Sequence, residues 1–242
     1  MAPRILITRA EDDALETAQN VQALGYETLI DSILRIYPED WQEPDWNSVS
    51  AIIVTSHNAL RGFEGHTVPR DKLFFLVGAR TARELRKRGY IHVTATVEKS
   101  DDLAYPIRMQ CNPADGMLLH LTSEHAHTDF YASLQQEGFR IETRRVYHAE
   151  EAKDLGLATL DALKQGSINA ALFYSARTLT IFEGLIKRHN VAPMLKNLNA
   201  VCLSQAVAAA CDKTLWKSVV TADAPTQDRL MDCLAKAVPV NS

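Results

Sequence analysis

Cysteine is scarce: four in 242 residues, at Cys111, Cys202, Cys211 and Cys233. None forms a CxxC pair and no spacing repeats a zinc motif, which argues against a disulfide framework or a structural metal centre. They read as reduced, mostly buried thiols. No apolar run approaches the roughly 20 residues a membrane helix needs. The N-terminus, MAPRILITRA, turns polar after a short apolar run and lacks the apolar core and cleavage site of a secretory leader. A cytoplasmic chain that avoids membranes is expected. Charge of one sign is not in excess either. A formal net charge of −4 provides no global basic field for nucleic acid. Glycine-rich nucleotide signatures are missing: there is no GxGxxG and no GxxxxGK[ST]. There is no GxSxG nucleophile elbow, no Thr/Gly-rich flavin loop and no recurring carboxylate pair of the glycosidase kind. The first apolar run ends in Thr8-Arg9, where a phosphorylatable receiver would carry aspartate. No cofactor and no metal are expected.

What is present is ordinary globular material, arranged twice. Apolar residues make up 46% and charged residues 23%, enough for one large core or two smaller ones at this length. RILITRAEDDALETAQNVQALGYETLIDSILRIY (4–37) resembles GMLLHLTSEHAHTDFYASLQQEGFRIETRRVYHA (116–149). Each has an apolar strand, a polar turn, a helical stretch closed by glycine and an aromatic (Gly25-Tyr26, Gly138-Phe139), and a second strand ending near an aromatic, Tyr37 or Tyr147. SVSAIIVTSHNALRGFEG (48–65) matches SINAALFYSARTLTIFEG (167–184). Both read as strand, serine-containing turn, then a helix ending near Phe-Glu-Gly. A weaker third pair sets LFFLVGARTARELRKRGYIHVTATV (73–97) against NAVCLSQAVAAACDKTLWKSVVTA (199–222). Short apolar strands alternating with amphipathic helices predict an α/β fold of parallel sheets covered on both faces, built by internal duplication. In ALETAQNVQALG the apolar face is expected at Leu15, Ala18, Val21 and Leu24. In ARELRKRG, Arg83, Arg86 and Lys87 are expected on a solvent face.

In open parallel sheets, ligands bind beyond the C-terminal ends of the strands. The turns there carry hydroxyls and some cations: Thr8-Arg9, Thr55-Ser56-His57-Asn58, Gly78-Ala79-Arg80-Thr81, Thr122-Ser123, Tyr174-Ser175-Ala176-Arg177 and Ser204-Gln205. A single Ser or Thr at such a place is an ordinary helix cap. Their recurrence at matching ends of two copies is more informative. Two such domains facing one another would make a cleft of hydroxyls, amides and arginines suited to a polyanionic small molecule. The histidines of LLHLTSEHAHTDF (His120, His125, His127) are not spaced i, i+4 on one helix. They read as straddling a strand end and a polar loop rather than as metal ligands.

The segments ILITR (5–9), AIIVTSHNAL (51–60), LVGARTARELRKRG (76–89), RRVY (144–147) and ALFYSARTL (171–179) resemble, in this order, the uroporphyrinogen-III synthase family. The resemblance spans nearly the whole chain. It implies two flavodoxin-like parallel-sheet domains joined by two crossing strands. One of them is discontinuous, formed by residues 1–36 and 149–242, around a second formed by 37–148. It also implies a cyclising lyase of haem biosynthesis. Such an enzyme converts linear hydroxymethylbilane, an octacarboxylate, to uroporphyrinogen III. Loss of the terminal hydroxyl gives an azafulvenium cation, and a spiro intermediate then inverts ring D. The expected species is a monomer, with the upstream hydroxymethylbilane-forming enzyme as a further partner. This chemistry needs no metal or strong base, since the pyrrole nitrogen expels the leaving group and the protein positions the chain.

By the same resemblance, Tyr147 matches the family's crossing-strand tyrosine, which would assist loss of the hydroxyl. Gly78 and Thr81, with the amides around them, match the Gly-x-x-Thr-Ala turn that would hold a carboxylate. Ser56 and Ser175 match paired strand-end serines, and Asn58, Arg61 and Arg177 are further carboxylate partners. Ser204 stands at the glycine position of the second such turn, where Val207 replaces threonine and leaves only backbone amides to serve. Arg9 reads as structural. Ala10 stands where the family often has proline. The main alternative is a non-catalytic two-domain cytoplasmic binding protein for a small polyanion. A nucleotide-sugar transferase would need a nucleotide site that the sequence lacks.

Overall fold

A computed structural model describes residues 2–124 and 128–240. His125 and His127 lie outside the described residues. The chain divides into two compact units, residues 1–35 with 150–242 (unit 1) and residues 36–149 (unit 2).

Unit 1 is a five-stranded, all-parallel sheet. Its strands are β1 (Arg4–Ile7), β2 (Glu27–Ile30), β10 (Ala170–Phe173), β11 (Asn199–Cys202) and β12 (Ser218–Thr221), in the order β12-β11-β10-β1-β2. The alternation of β1 sends its residues to opposite faces. Leu6 packs with Phe173, Leu179 and Phe182 under α6 (Ala176–Arg188) and α7 (Gln205–Ala209). Ile5 and Ile7 pack under α1 (Glu11–Ala23) and α8 (Gln227–Ala237) with Val21, Leu230 and Leu234. α5 (Leu157–Lys164) joins the first of these layers through Ala162 and Leu163. The buried face of α1 is Ala14, Thr17, Ala18 and Val21, while Leu15 and Leu24 are 55% and 44% exposed. The apolar face expected at Leu15 and Leu24 is therefore corrected by about one residue. Ala14 and Thr17 are small enough to let the helix lie close on β1, and the larger leucines fall outside that contact.

Unit 2 repeats the spatial order by a different chain route. Its strands β4 (Val49–Val54), β5 (Leu73–Val77), β6 (Val93–Val97), β7 (Met117–Thr122) and β8 (Ile141–Arg145) lie β6-β5-β4-β7-β8, all parallel. β7 sits between β4 and β8 as β1 sits between β10 and β2. Each pair of similar segments thus takes corresponding places in the two sheets. α2 (Ala79–Lys87) buries Ala82 and Leu85 on one face, while α3 (Ala104–Gln110) and α4 (Tyr131–Gln136) bury Ile107 and Leu134 on the other. Arg83, Arg86 and Lys87 are exposed, as the charge pattern of this helix indicates. Gly25 and Gly138 close α1 and α4 at φ 87° and 91°. Where the chain passes from one unit to the other, β3 (Leu34–Pro38) and β9 (Tyr147–Glu151) pair as a two-stranded sheet.

The helices expected to stop at Phe-Glu-Gly differ from that reading. Residues His57–Phe63 form a 3-10 helix, whereas α6 is regular and runs past Gly184 to Arg188. In the first, Gly62 marks a close approach that α6 does not have. A Cβ there would stand 2.4 Å from the Val146 Cβ and 2.7 Å from its carbonyl oxygen, so the backbone of this segment lies directly against the crossing chain.

Candidate active site

Unit 2 carries a cavity of about 420 Å³ at the C-terminal ends of its strands. Thr55 and Ser56 after β4, Val77 at the end of β5, and Thr122 and Ser123 at the end of β7 form one side. Tyr147 enters it from the start of β9. Glu98, Lys99, Ser100 and Asp101 follow β6, and Asp129 precedes α4. Sequence reasoning had not singled out these acids, because they belong to loops of no recognisable motif.

Tyr147 is 8% exposed, with its ring packed in the core cluster of Val54, Leu121 and Val146. Its hydroxyl makes no hydrogen bond to any described residue. The Val146 carbonyl accepts from the Glu39 amide (2.9 Å), and the Val146 amide donates to the Thr122 carbonyl (2.9 Å). The strand holding the tyrosine is thus fixed on both sides of its backbone.

Ser56 accepts a hydrogen bond from the Asn58 amide at 3.3 Å and opens the 3-10 helix. Gly78 follows β5 with φ 86°, a conformation that disfavours a side chain, and leads into α2. No side chain caps that helix. The amides of its first turn therefore have no partner within the helix, and the positive end of its dipole is open. Thr81 is 2% exposed and packs inward, so in this turn it is the backbone that faces outward. Val207, its counterpart in α7, is buried in the same way at 5%.

The matching turns of unit 1 are closed by their own hydroxyls. Ser175 accepts from the Thr178 amide (3.1 Å) and shares a hydrogen bond with the Thr178 hydroxyl (2.8 Å). Ser204 accepts from the Val207 amide (3.4 Å). Arg177 pairs with Glu151 at 3.0 Å on the surface. Arg9 donates to Asp13 (2.8 Å) and lies 3.9 Å over the Tyr174 ring, a structural use in keeping with the sequence reading.

His120 is not at a strand end. It is fully buried within β7, with Thr55 Oγ1 2.9 Å from Nε2 and the Tyr131 hydroxyl on Nδ1. Burial pulls its pKa down from 6.5 to about 4, so the ring is neutral at neutral pH. Burial likewise pushes the Tyr131 phenol up. The partners come from residues 55 and 131, a juxtaposition no local spacing displays. Among the described residues no group of three or more His, Cys, Asp or Glu could hold a metal, and no helix is long and apolar enough to cross a membrane.

In structure the chain is similar to a uroporphyrinogen-III synthetase from Helicobacter pylori 26695, at 16% identity over 98% of this chain and 99% of the other, with a TM-score of 0.64. It is also similar to a mutant uroporphyrinogen III synthase from the extremely thermophilic bacterium Thermus thermophilus, at 15% identity over 98% of both chains, with a TM-score of 0.54. At such identities these likenesses speak for the fold. No curated protein matches by sequence. The family model described as uroporphyrinogen-III synthase HemD matches residues 16–232, and on that match the chain belongs to the uroporphyrinogen-III synthase family, a family of enzymes of tetrapyrrole biosynthesis.

Proposed function

We propose that this chain acts as a cyclising hydro-lyase on hydroxymethylbilane, received from the enzyme that makes it, and releases water and uroporphyrinogen III with ring D inverted. The observation that carries this reading is the family match over residues 16–232. The cavity of unit 2 suits the chemistry. Tyr147, whose hydroxyl is uncommitted, donates a hydrogen bond to the departing hydroxyl of the substrate and so assists its loss as water. The cation left behind is favoured by the carboxylates of Glu98, Asp101 and Asp129 that line the same space. No strong base is needed, because the pyrrole nitrogen supplies the electrons.

Substrate carboxylates fall to groups of the opposite character. In unit 2 these are the Ser56 hydroxyl, Asn58, and the turn of Gly78 and Thr81, acting through backbone amides at the start of α2. In unit 1 they are Arg177 and the turns of Ser175 and Ser204. Binding spread over many amides and hydroxyls gives graded losses on single substitution, with the steep loss reserved for Tyr147. Incubating the protein with hydroxymethylbilane and separating the isomers tests the assignment. Type III product must form faster than the spontaneous type I isomer, and a protein that leaves type I as the sole product does not have this function.

A further inference from the structure

A buried histidine next to the cavity has two partners and no role in the steps above. His120 cannot reach the substrate, since none of it is exposed. It touches a residue that can: Thr55 lines the cavity, and its hydroxyl lies 2.9 Å from His120 Nε2. Behind the ring, the Tyr131 hydroxyl closes on Nδ1. Phe130 and Tyr131 pack against the imidazole, at centroid distances of 6.0 and 5.8 Å, and fix its plane.

A neutral imidazole has one N–H and one lone pair, so the two contacts must run in the same direction along the ring. If Nδ1 carried the proton, it would donate to the Tyr131 oxygen. The phenol hydrogen would then have no acceptor among the described residues, and the Thr55 hydrogen would be spent on Nε2. Either direction leaves one hydroxyl hydrogen over, but the phenol, the stronger acid of the two hydroxyls, is the better donor to the ring lone pair at Nδ1. Nε2–H then donates to Thr55 Oγ1, and the Thr55 hydrogen is free to turn outward.

We infer that Tyr131 and His120 form a relay that sets the Thr55 hydroxyl as a fixed donor into the cavity, where it meets a carboxylate oxygen of the substrate. Thr55 then contacts the ligand, and His120 and Tyr131 are positioning residues. The buried ring's resistance to protonation keeps the direction constant, because an imidazolium would donate on both sides and lose the phenol's hydrogen bond. The inference rests on the cavity of unit 2 being where substrate is bound, as proposed above.

Two measurements test it. The first needs no substrate. Nitrogen-15 resonances of His120 in the wild-type protein should show the Nε2–H tautomer, and Tyr131→Phe should shift the population toward Nδ1–H. A wild-type ring protonated at Nδ1 overturns the relay even if the protein is an active synthase. The second is a double-mutant cycle on KM for hydroxymethylbilane. Thr55→Val and Tyr131→Phe should each raise KM about five- to tenfold, the scale of one lost hydrogen bond, with kcat little changed. The double variant should be no worse than Thr55→Val alone, and Thr55→Ser should stay near wild type. Losses that multiply, or a Tyr131→Phe protein with unchanged KM, overturn the coupling. If Tyr131→Phe does not fold, the tautomer of the wild-type ring and the contrast between Thr55→Ser and Thr55→Val decide. A wild-type protein inactive on hydroxymethylbilane would sink the functional reading and leave the tautomer result standing.

Discussion

Segments 48–65 and 167–184 begin alike and end differently. Both run from a buried parallel strand through a serine that caps its own turn, and both bury the phenylalanine that follows, Phe63 or Phe182. One position decides the rest. Unit 1 has Ile181 where unit 2 has Gly62, and only the glycine allows the Val146 backbone to lie against the turn. The Trp41 indole then donates to the Gly62 carbonyl at 2.7 Å. The next residue differs too. Glu64 is exposed, while Glu183 is 6% exposed and accepts from the Trp216 indole (2.8 Å) and the Asp212 amide (3.1 Å). Unit 1 has used this segment to tie its own core together. Unit 2 has used it to seat the strand that carries Tyr147. A similar difference separates the next pair of turns: hydroxyl-capped at Ser204, without a side-chain cap at Gly78.

The sharpest way to break this contrast is at the tyrosines of the two crossing strands. Tyr147→Phe is expected to lower the rate of type III formation by about a hundredfold or more, the scale of a lost proton donor, while Tyr37→Phe, half out in solvent, changes little. Equal effects in a product assay would remove the special status of Tyr147. Next in size, Gly62→Ala should destabilise unit 2 by about 3 kcal/mol, because the added methyl overlaps the Val146 backbone, with much less cost for Ile181→Val at the matching site. Urea unfolding followed at Trp41 and Trp46 for one and Trp216 for the other gives the comparison.

Acid separates the units by a smaller margin. The folded pKa of His120, about 4, lies below its ordinary 6.5, so its neutral form is the one the folded unit prefers. The stability it contributes is complete above pH 6.5. It falls as the unfolded chain takes up a proton, and is lost as the pH drops through about 4. Between pH 7 and pH 5 unit 2 should lose roughly 2 kcal/mol. Denaturation of a Trp216→Phe protein, whose remaining indoles both lie in unit 2, should show this loss, and His120→Gln should abolish it. Smallest is the cap. Ser204→Ala should cost about 1 kcal/mol of stability in unit 1 with little change in KM, since its hydroxyl already serves the helix. A KM rise larger than the stability loss would instead give the Ser204 hydroxyl a direct part in binding.

The parallel α/β architecture was legible because its strands are unbroken apolar runs and its helices amphipathic. ILI, AIIV, FFL and ALF are buried on both faces, and such runs have little choice of place. What escaped the sequence depends on size and on distance along the chain. Ala14 and Thr17 won the interface from Leu15 and Leu24 by being small, which hydrophobicity alone does not rank. The 3-10 segment 57–63 is seated by a contact between Gly62 and a residue 84 positions later, which no local pattern displays. His120 looked like a strand-end polar residue because both of its partners come from other elements. Serines could be read as turn residues, but whether a capping hydroxyl also borders a cavity, as Ser56 does, is decided by three-dimensional surroundings.

The pairing of β1 with β10 joins Ile5 to Ala170, across most of the chain. During synthesis, β1 and β2 are made before unit 2 and remain without their central neighbour while all of unit 2 is made. Residues 36–149 hold every strand of their own sheet and can close as soon as they emerge. The sheet of unit 2 can therefore be complete before the sheet of unit 1 has its central strand. From residue 30 to residue 170 these two parallel strands await their partner, and a chain cut short before residue 170 would keep a folded unit 2 and an orphaned β1 and β2.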